Sequence, residues 1–170
     1  LEESITVGSN LSSSDWGKLR CAYRAIFGIL SNSSDLTQGT ITRAPDKRID
    51  ANFNGSGIKR WEQGHYVFMT IIQAMIIALN CFRYDLEISH DEESANHFMY
   101  LASVLMHGSE AALKFAADFP TAAYDTEVRP TLSPPIAPLG MSGLYWRDHE
   151  YLIKKILFKL KPIFENLPVF

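Results

Sequence analysis

Two short segments pair a carboxylate with an imidazole three residues apart: Glu62-Gln63-Gly64-His65 and His107-Gly108-Ser109-Glu110. On a helix this spacing puts both groups on one face. It is the arrangement by which helical bundles offer iron or manganese a carboxylate oxygen and an imidazole nitrogen together. The di-iron carboxylate pattern needs two forward Glu-x-x-His motifs and two further carboxylates, and here one copy is forward and the other reversed. His149 is a third imidazole, placed by helical angle in the middle of an apolar face made by Leu152, Ile153, Ile156 and Leu160. Glu62, His65, His107, Glu110 and His149 are therefore the candidate metal ligands, and mixed imidazole and carboxylate donors suit non-haem iron. Haem is the alternative cofactor, with His107 or His149 as its single axial ligand.

A second stripe, His90, Glu93, His97, Tyr100 and Val104, also follows helical spacing. Glu93 and His97 are candidates for orienting a substrate or passing protons. Met141 to Gly143 and the following Tyr145, Trp146 and Arg147 are candidate pocket-lining residues. Each of these has a plainer reading. Glu62 and Glu110 suit solvated pairs with Lys59 or Lys114, worth at most about 1 kcal/mol. His149 suits a buried histidine satisfied by a carbonyl or by Asp148, and aromatic residues are more often core than pocket.

The elements that must position these groups are helices. Trp16, Leu19, Tyr23, Ile26, Phe27 and Leu30 recur at helical spacing, which predicts a first helix from about Asp15 to Leu30 with Ser12 and Asp15 as its start signal. A Ser-, Asn-, Gly- and Asp-rich connection over 31–57 follows, unusually long for a compact bundle. The second helix should run from Ile58 to Arg83. It is apolar nearly all round and so belongs at the centre of the bundle. Ser89 and Glu92 form a capping-box pattern that predicts a third helix from His90 to Asp118.

Pro120, Pro130, Pro134, Pro135 and Pro138 mark 119–145 as a stiff, polyproline-like strap on the surface. The fourth helix should begin near Ser142 to Trp146, with Pro162 disturbing its last turn. A short turn centred near Leu86 makes the second and third helices antiparallel. That register sets His65 opposite His107 or Gly108, and Glu62 opposite Glu110 or Ala111. A strap that returns the chain locally then brings His149 to the same level, with both long connections as a lid over the site.

Composition bounds the remaining choices. A chain of 170 residues, 46% apolar, can bury a core without disulfides or metals to hold it together. A net charge of −3 with scattered Lys and Arg argues against nucleic acid and anionic membrane partners. The longest apolar run, Tyr66 to Phe82, is short for a membrane span. Cys21 and Cys81 lack metal or redox spacing, which fits a reducing, cytoplasmic location. Leu1 in place of Met points to a trimmed start, and no charged-then-apolar leader follows it. No nucleophile elbow, no phosphate loop and no Cys–His pair is present, and Asn54-Gly55-Ser56-Gly57 reads as a connector.

The expectation is an all-α, four-helix, single domain over 1–170. It is expected to act as a metal-dependent oxidoreductase or oxygenase on a small organic molecule, in small-molecule biosynthesis, and a homodimer is plausible. Competing readings are cofactor-free general-base catalysis by His107 or His149, and a helical ligand-binding or interaction protein without catalysis.

Overall fold

In the computed structural model, residues 9–31, 55–139 and 146–165 are described. Among them the regular structure is helical, with no strand. Helix α1 spans Ser13–Ser31, α2 Gly57–Tyr84 and α3 Glu92–Ala116. A short α4, Thr121–Ala123, winds on through a wide turn at Tyr124–Val128 and a tight one at Arg129–Leu132. The last helical stretch is α5, Arg147–Tyr151, then π-type turns at Leu152–Leu157, then α6, Phe158–Glu165.

The start of α1 is the one the sequence signals. The Ser12 hydroxyl donates to Asp15 Oδ2 at 2.7 Å, and the Asp15 amide donates back to the Ser12 hydroxyl at 3.1 Å, a reciprocal cap on groups the helix leaves unpaired. The start of α3 differs from expectation. The Ser89 hydroxyl is taken by Asp85 Oδ1 at 3.0 Å, so Asp91 caps the helix by accepting from the Ser94 amide at 3.0 Å. His90, at φ 54°, makes the left-handed step between the two helices. The Asp91 amide closes this turn on the Asp85 carbonyl at 3.0 Å.

This longer turn moves the register. Arg60 meets Asp118, Gly64 lies against Ala116, and Ile71 reaches the level of Gly108. These pairs are centred near His90 rather than Leu86. Partners are therefore offset by about eight residues, roughly 12 Å of helix, from the expected alignment. Trp16 packs edge-on to Phe115, and Ala22 lies against Gly108, so α1 is also antiparallel to α3. Phe68 contacts Trp146, and Phe82 stacks on Phe164, so α5 and α6 run parallel to α2. Helices α1 and α2 are therefore parallel neighbours, which requires a long connection between them, whereas α3 and α5 are antiparallel and their direction does not account for the length of 119–145.

Leu19, Ala22, Ile71, Met75, Leu79, Leu101, Leu105, Ala112, Leu152, Ile156 and Leu160 share one buried cluster. Helix α2 touches α1, α3 and α5, as its apolar sequence predicts, but its enclosure is incomplete. Only 39% of its most apolar stretch is buried, and by length and composition α2 with its following turn could also cross a membrane. Ile153 is exposed rather than inward. The wide turns of 152–157 rotate it off the face that Leu152, Ile156 and Leu160 keep. The strap is corrected as well: its first half is wound into helical turns as far as Leu132, and 133–139 is irregular. Pro162 lies inside α6, which continues to Glu165.

The start of α2 is capped from the strap. Glu127 Oε2 accepts from the Ser56 hydroxyl at 2.8 Å and from the Ile58 amide at 3.3 Å. These bonds hold the Glu127 pKa below the usual carboxylate value, against a smaller opposing effect of burial. For Asp15 burial pushes upward, and the hydrogen bonds from Ser12 and Lys114 together outweigh it, so its pKa is also lowered. A folded-state pKa below the unfolded one gives stability that is complete above the unfolded carboxylate range and is lost as pH falls through the folded values. Glu127→Gln should therefore flatten the acid limb of stability against pH, measured by urea unfolding at stepped pH.

A Cβ placed on Gly64 would lie 2.3 Å from the Ala116 Cα, whereas one on Gly17 would meet no atom within 4 Å. Gly64→Ala should destabilise by about 1–3 kcal/mol as two backbones are forced apart. Gly17→Ala should stabilise by about 0.5–1 kcal/mol through helix propensity. Chemical denaturation of both variants checks the pair.

Candidate functional site

The outer side of α2 that faces α5 carries the densest grouping of imidazole and aromatic side chains. Trp61, His65 and Phe68 follow one another at i, i+4 and i+7, which puts them on one face. The His65 ring lies on the Trp61 indole with centroids 4.1 Å apart. Its Nδ1 is 2.7 Å from the Trp61 carbonyl oxygen. That oxygen can only accept, so Nδ1 is the donor, and in the neutral ring Nε2 presents a lone pair. Across from it, α5 brings Trp146 and His149 to 6.5 and 6.2 Å from the Phe68 ring. Gln73 donates to Asp148 Oδ2 at 3.0 Å and fixes the start of α5 on α2. Both imidazoles are half-buried. The face thus combines apolar ring surfaces with an imidazole nitrogen that can accept a proton.

The other expected residues lie apart. Among the described residues no three His, Cys, Asp or Glu side chains are grouped to hold one metal ion. The shifted register separates His65 from His107, which is exposed on α3. Glu62 is exposed beside His65. Glu110 is held by Lys18 at 2.8 Å and Lys114 at 3.0 Å, and these ammonium groups keep its pKa low and leave no favourable place for a cation. Glu93 is exposed, and His97 sits edge-on to Phe98 at 5.6 Å. Met141 to Tyr145 lie outside the described residues. Cys21 and Cys81 are free thiols, and burial, aided by Asp85, pushes the Cys81 pKa up.

Next to the His65 end of α2 lies a polar cluster that sequence patterns did not signal. Arg60 and Asp118 are both buried and pair at 3.2 Å. The guanidinium also lies 4.7 Å over the Phe115 ring. Asp118 accepts from the Asn10 amide at 2.9 Å and from its side chain at 3.0 Å. Burial pulls the Arg60 pKa down, and the Asp118 charge pushes back. The available signals were faint: an arginine in the first turn of an apolar helix, and an aspartate just past the end of another. Asp118→Asn should cost about 3–5 kcal/mol, because it leaves a buried guanidinium without its counter-charge. Thermal and urea unfolding measure this.

The chain matches the model of the SfmD 3-methyl-L-tyrosine peroxygenase family over residues 1–169. A 3-methyl-L-tyrosine peroxygenase of Streptomyces lavendulae is 35% identical over 161 residues, which is 92% of this chain and 42% of that relative. The chain thus spans about two-fifths of the length of the curated relative it matches. No solved structure matches it. A match over nearly every residue, joined to that identity, shows that the chain belongs to the SfmD 3-methyl-L-tyrosine peroxygenase family.

Proposed function

We propose that this chain is a helical part of an oxygenase that transfers oxygen from a peroxide to a small aromatic amino acid of the tyrosine type. The observation that carries this reading is the family match over residues 1–169. The Trp61–His65–Phe68 face agrees with it. Indole and phenyl walls fit a phenolic ring, and the His65 Nε2 is an acceptor for a phenolic hydroxyl.

SfmD-type peroxygenases are haem-dependent, which moves the proposed cofactor from non-haem iron to haem. Haem supplies the iron that activates peroxide. The described residues of this chain do not fit it as a pocket. The α2–α3 seam is closed at Gly64 and Ala116 and the α1–α3 seam at Gly108 and Ala22, where not even a methyl group can be added, so a macrocycle has no room at these levels. Of the two proposed axial donors, His107 stands on an open surface and His149 is turned to Phe68. The reading therefore gives this chain the aromatic wall and its proton acceptor, and gives the haem to the part of the family protein that lies outside it.

The experiment is haem titration of this chain alone, followed by peroxide-driven turnover of 3-methyl-L-tyrosine by the chain together with the remainder of the family protein. The chain alone should give no saturable Soret band. In the complete protein His65→Ala should lower kcat by about 100-fold with the haem spectrum unchanged. Saturable haem binding by the chain alone would move the cofactor into it. Stoichiometric iron without a Soret band would restore the non-haem reading, and unchanged turnover in His65→Ala would remove the histidine from the site.

A further inference from the structure

The outer stripe of α2 stands out once the bundle is assembled. From Gln63 to Phe82 none of the twenty residues is Asp, Glu, Lys or Arg. A solvent-facing helix side ordinarily carries such charges. Yet Tyr66, Ile77 and Tyr84 are 66%, 45% and 57% exposed. They fall at spacings of eleven and seven residues, close to whole helical turns, with the uncharged Thr70 between them and Gln73, bonded to Asp148 of α5, at the stripe's edge. Helix α1 adds an uncovered apolar pair, Phe27 and Leu30, at i, i+3. Uncharged, partly aromatic faces of this kind mark contact surfaces rather than free ones.

The curated relative is more than twice the length of the matched segment, so the family protein carries further chain beyond this helical bundle. We propose that the Tyr66–Ile77–Tyr84 stripe is the docking surface for the remaining three-fifths or so of the family protein. That remainder packs an apolar face along α2, over the side that α3 and α5 leave open. The proposal rests on family membership and not on the reaction assigned above, so it stands or falls by association alone. It also accounts for an apolar helix that stays partly uncovered. The aromatic and imidazole face of Trp61, His65 and Phe68 then lies at the edge of the joint, where groups from both parts can meet.

The test is to co-express this chain with a polypeptide comprising the part of the Streptomyces lavendulae relative that the chain does not match. Complex formation is read by size-exclusion chromatography with light scattering. A 1:1 complex is expected, and Ile77→Lys should weaken it by about tenfold or more. The milder Ile77→Gln should weaken it less, with the helical circular dichroism of the free chain unchanged in both. Glu150→Gln, which carries its change on α5, should leave the complex intact. Absence of a complex overturns the proposal, as does a complex indifferent to Ile77→Lys. Two further outcomes overturn it in favour of another occupant: a concentration-dependent dimer of the chain alone that Ile77→Lys dissociates, or binding to neutral phosphatidylcholine vesicles that Ile77→Lys abolishes.

Discussion

Gly64 and Ala116 come so close that one added methyl group would push one helix backbone off the other, and the height of every other residue along α2 and α3 follows from that contact. A second close approach, Ala22 against Gly108, fixes α1 on α3 beside α2. Together they make a bundle whose interior seams are lined by small residues and whose helix backbones nearly touch. Close packing of this sort is intolerant of added volume. The larger apolar side chains, Ile71, Met75, Leu101 and Leu105, fill the space on either side of these seams.

The polar groups organise the ends. Arg60 and Asp118 would be costly as lone buried charges, so they pair, and the same carboxylate anchors the backbone at Asn10. Glu127 satisfies the start of α2 from the strap. Asp15, Lys114, Glu110 and Lys18 form a chain of opposite charges from α1 to α3. No buried side-chain nitrogen or oxygen among the described residues lacks a partner. These contacts draw the segment before α1 and the helical part of the strap to the end of α2 where Trp61 and His65 stand.

A tightly seamed bundle leaves its chemistry to its outer faces. The half-buried imidazoles lie outside the seams, on the side of α2 shared with α5, and only 39% of the most apolar stretch of α2 is buried. Both features agree with the proposal that this chain docks on the remainder of the family protein. A metal site built on facing helices would need inward carboxylates and imidazoles at one level. Here the inward positions at the close approaches are glycine and alanine.

Most of the helices and the all-α class were legible in the chain, because apolar residues at helical spacing and local start signals such as Ser12 with Asp15 are written in adjacent residues. The exposure of part of α2 was hidden, since an apolar run looks the same whether a neighbour covers it within the chain or outside it. The metal constellation around His65, His107 and His149 depended on the length of a single turn. That length was decided when Asp85 took the Ser89 hydroxyl, leaving Asp91 to cap α3 and His90 to make the left-handed step. A few hydrogen bonds in the turn, together with Gly64 meeting Ala116 across the seam, moved the partners by about two helical turns. Local sequence determines which residues share a helix face; only the packing of one helix on another decides which faces share a site.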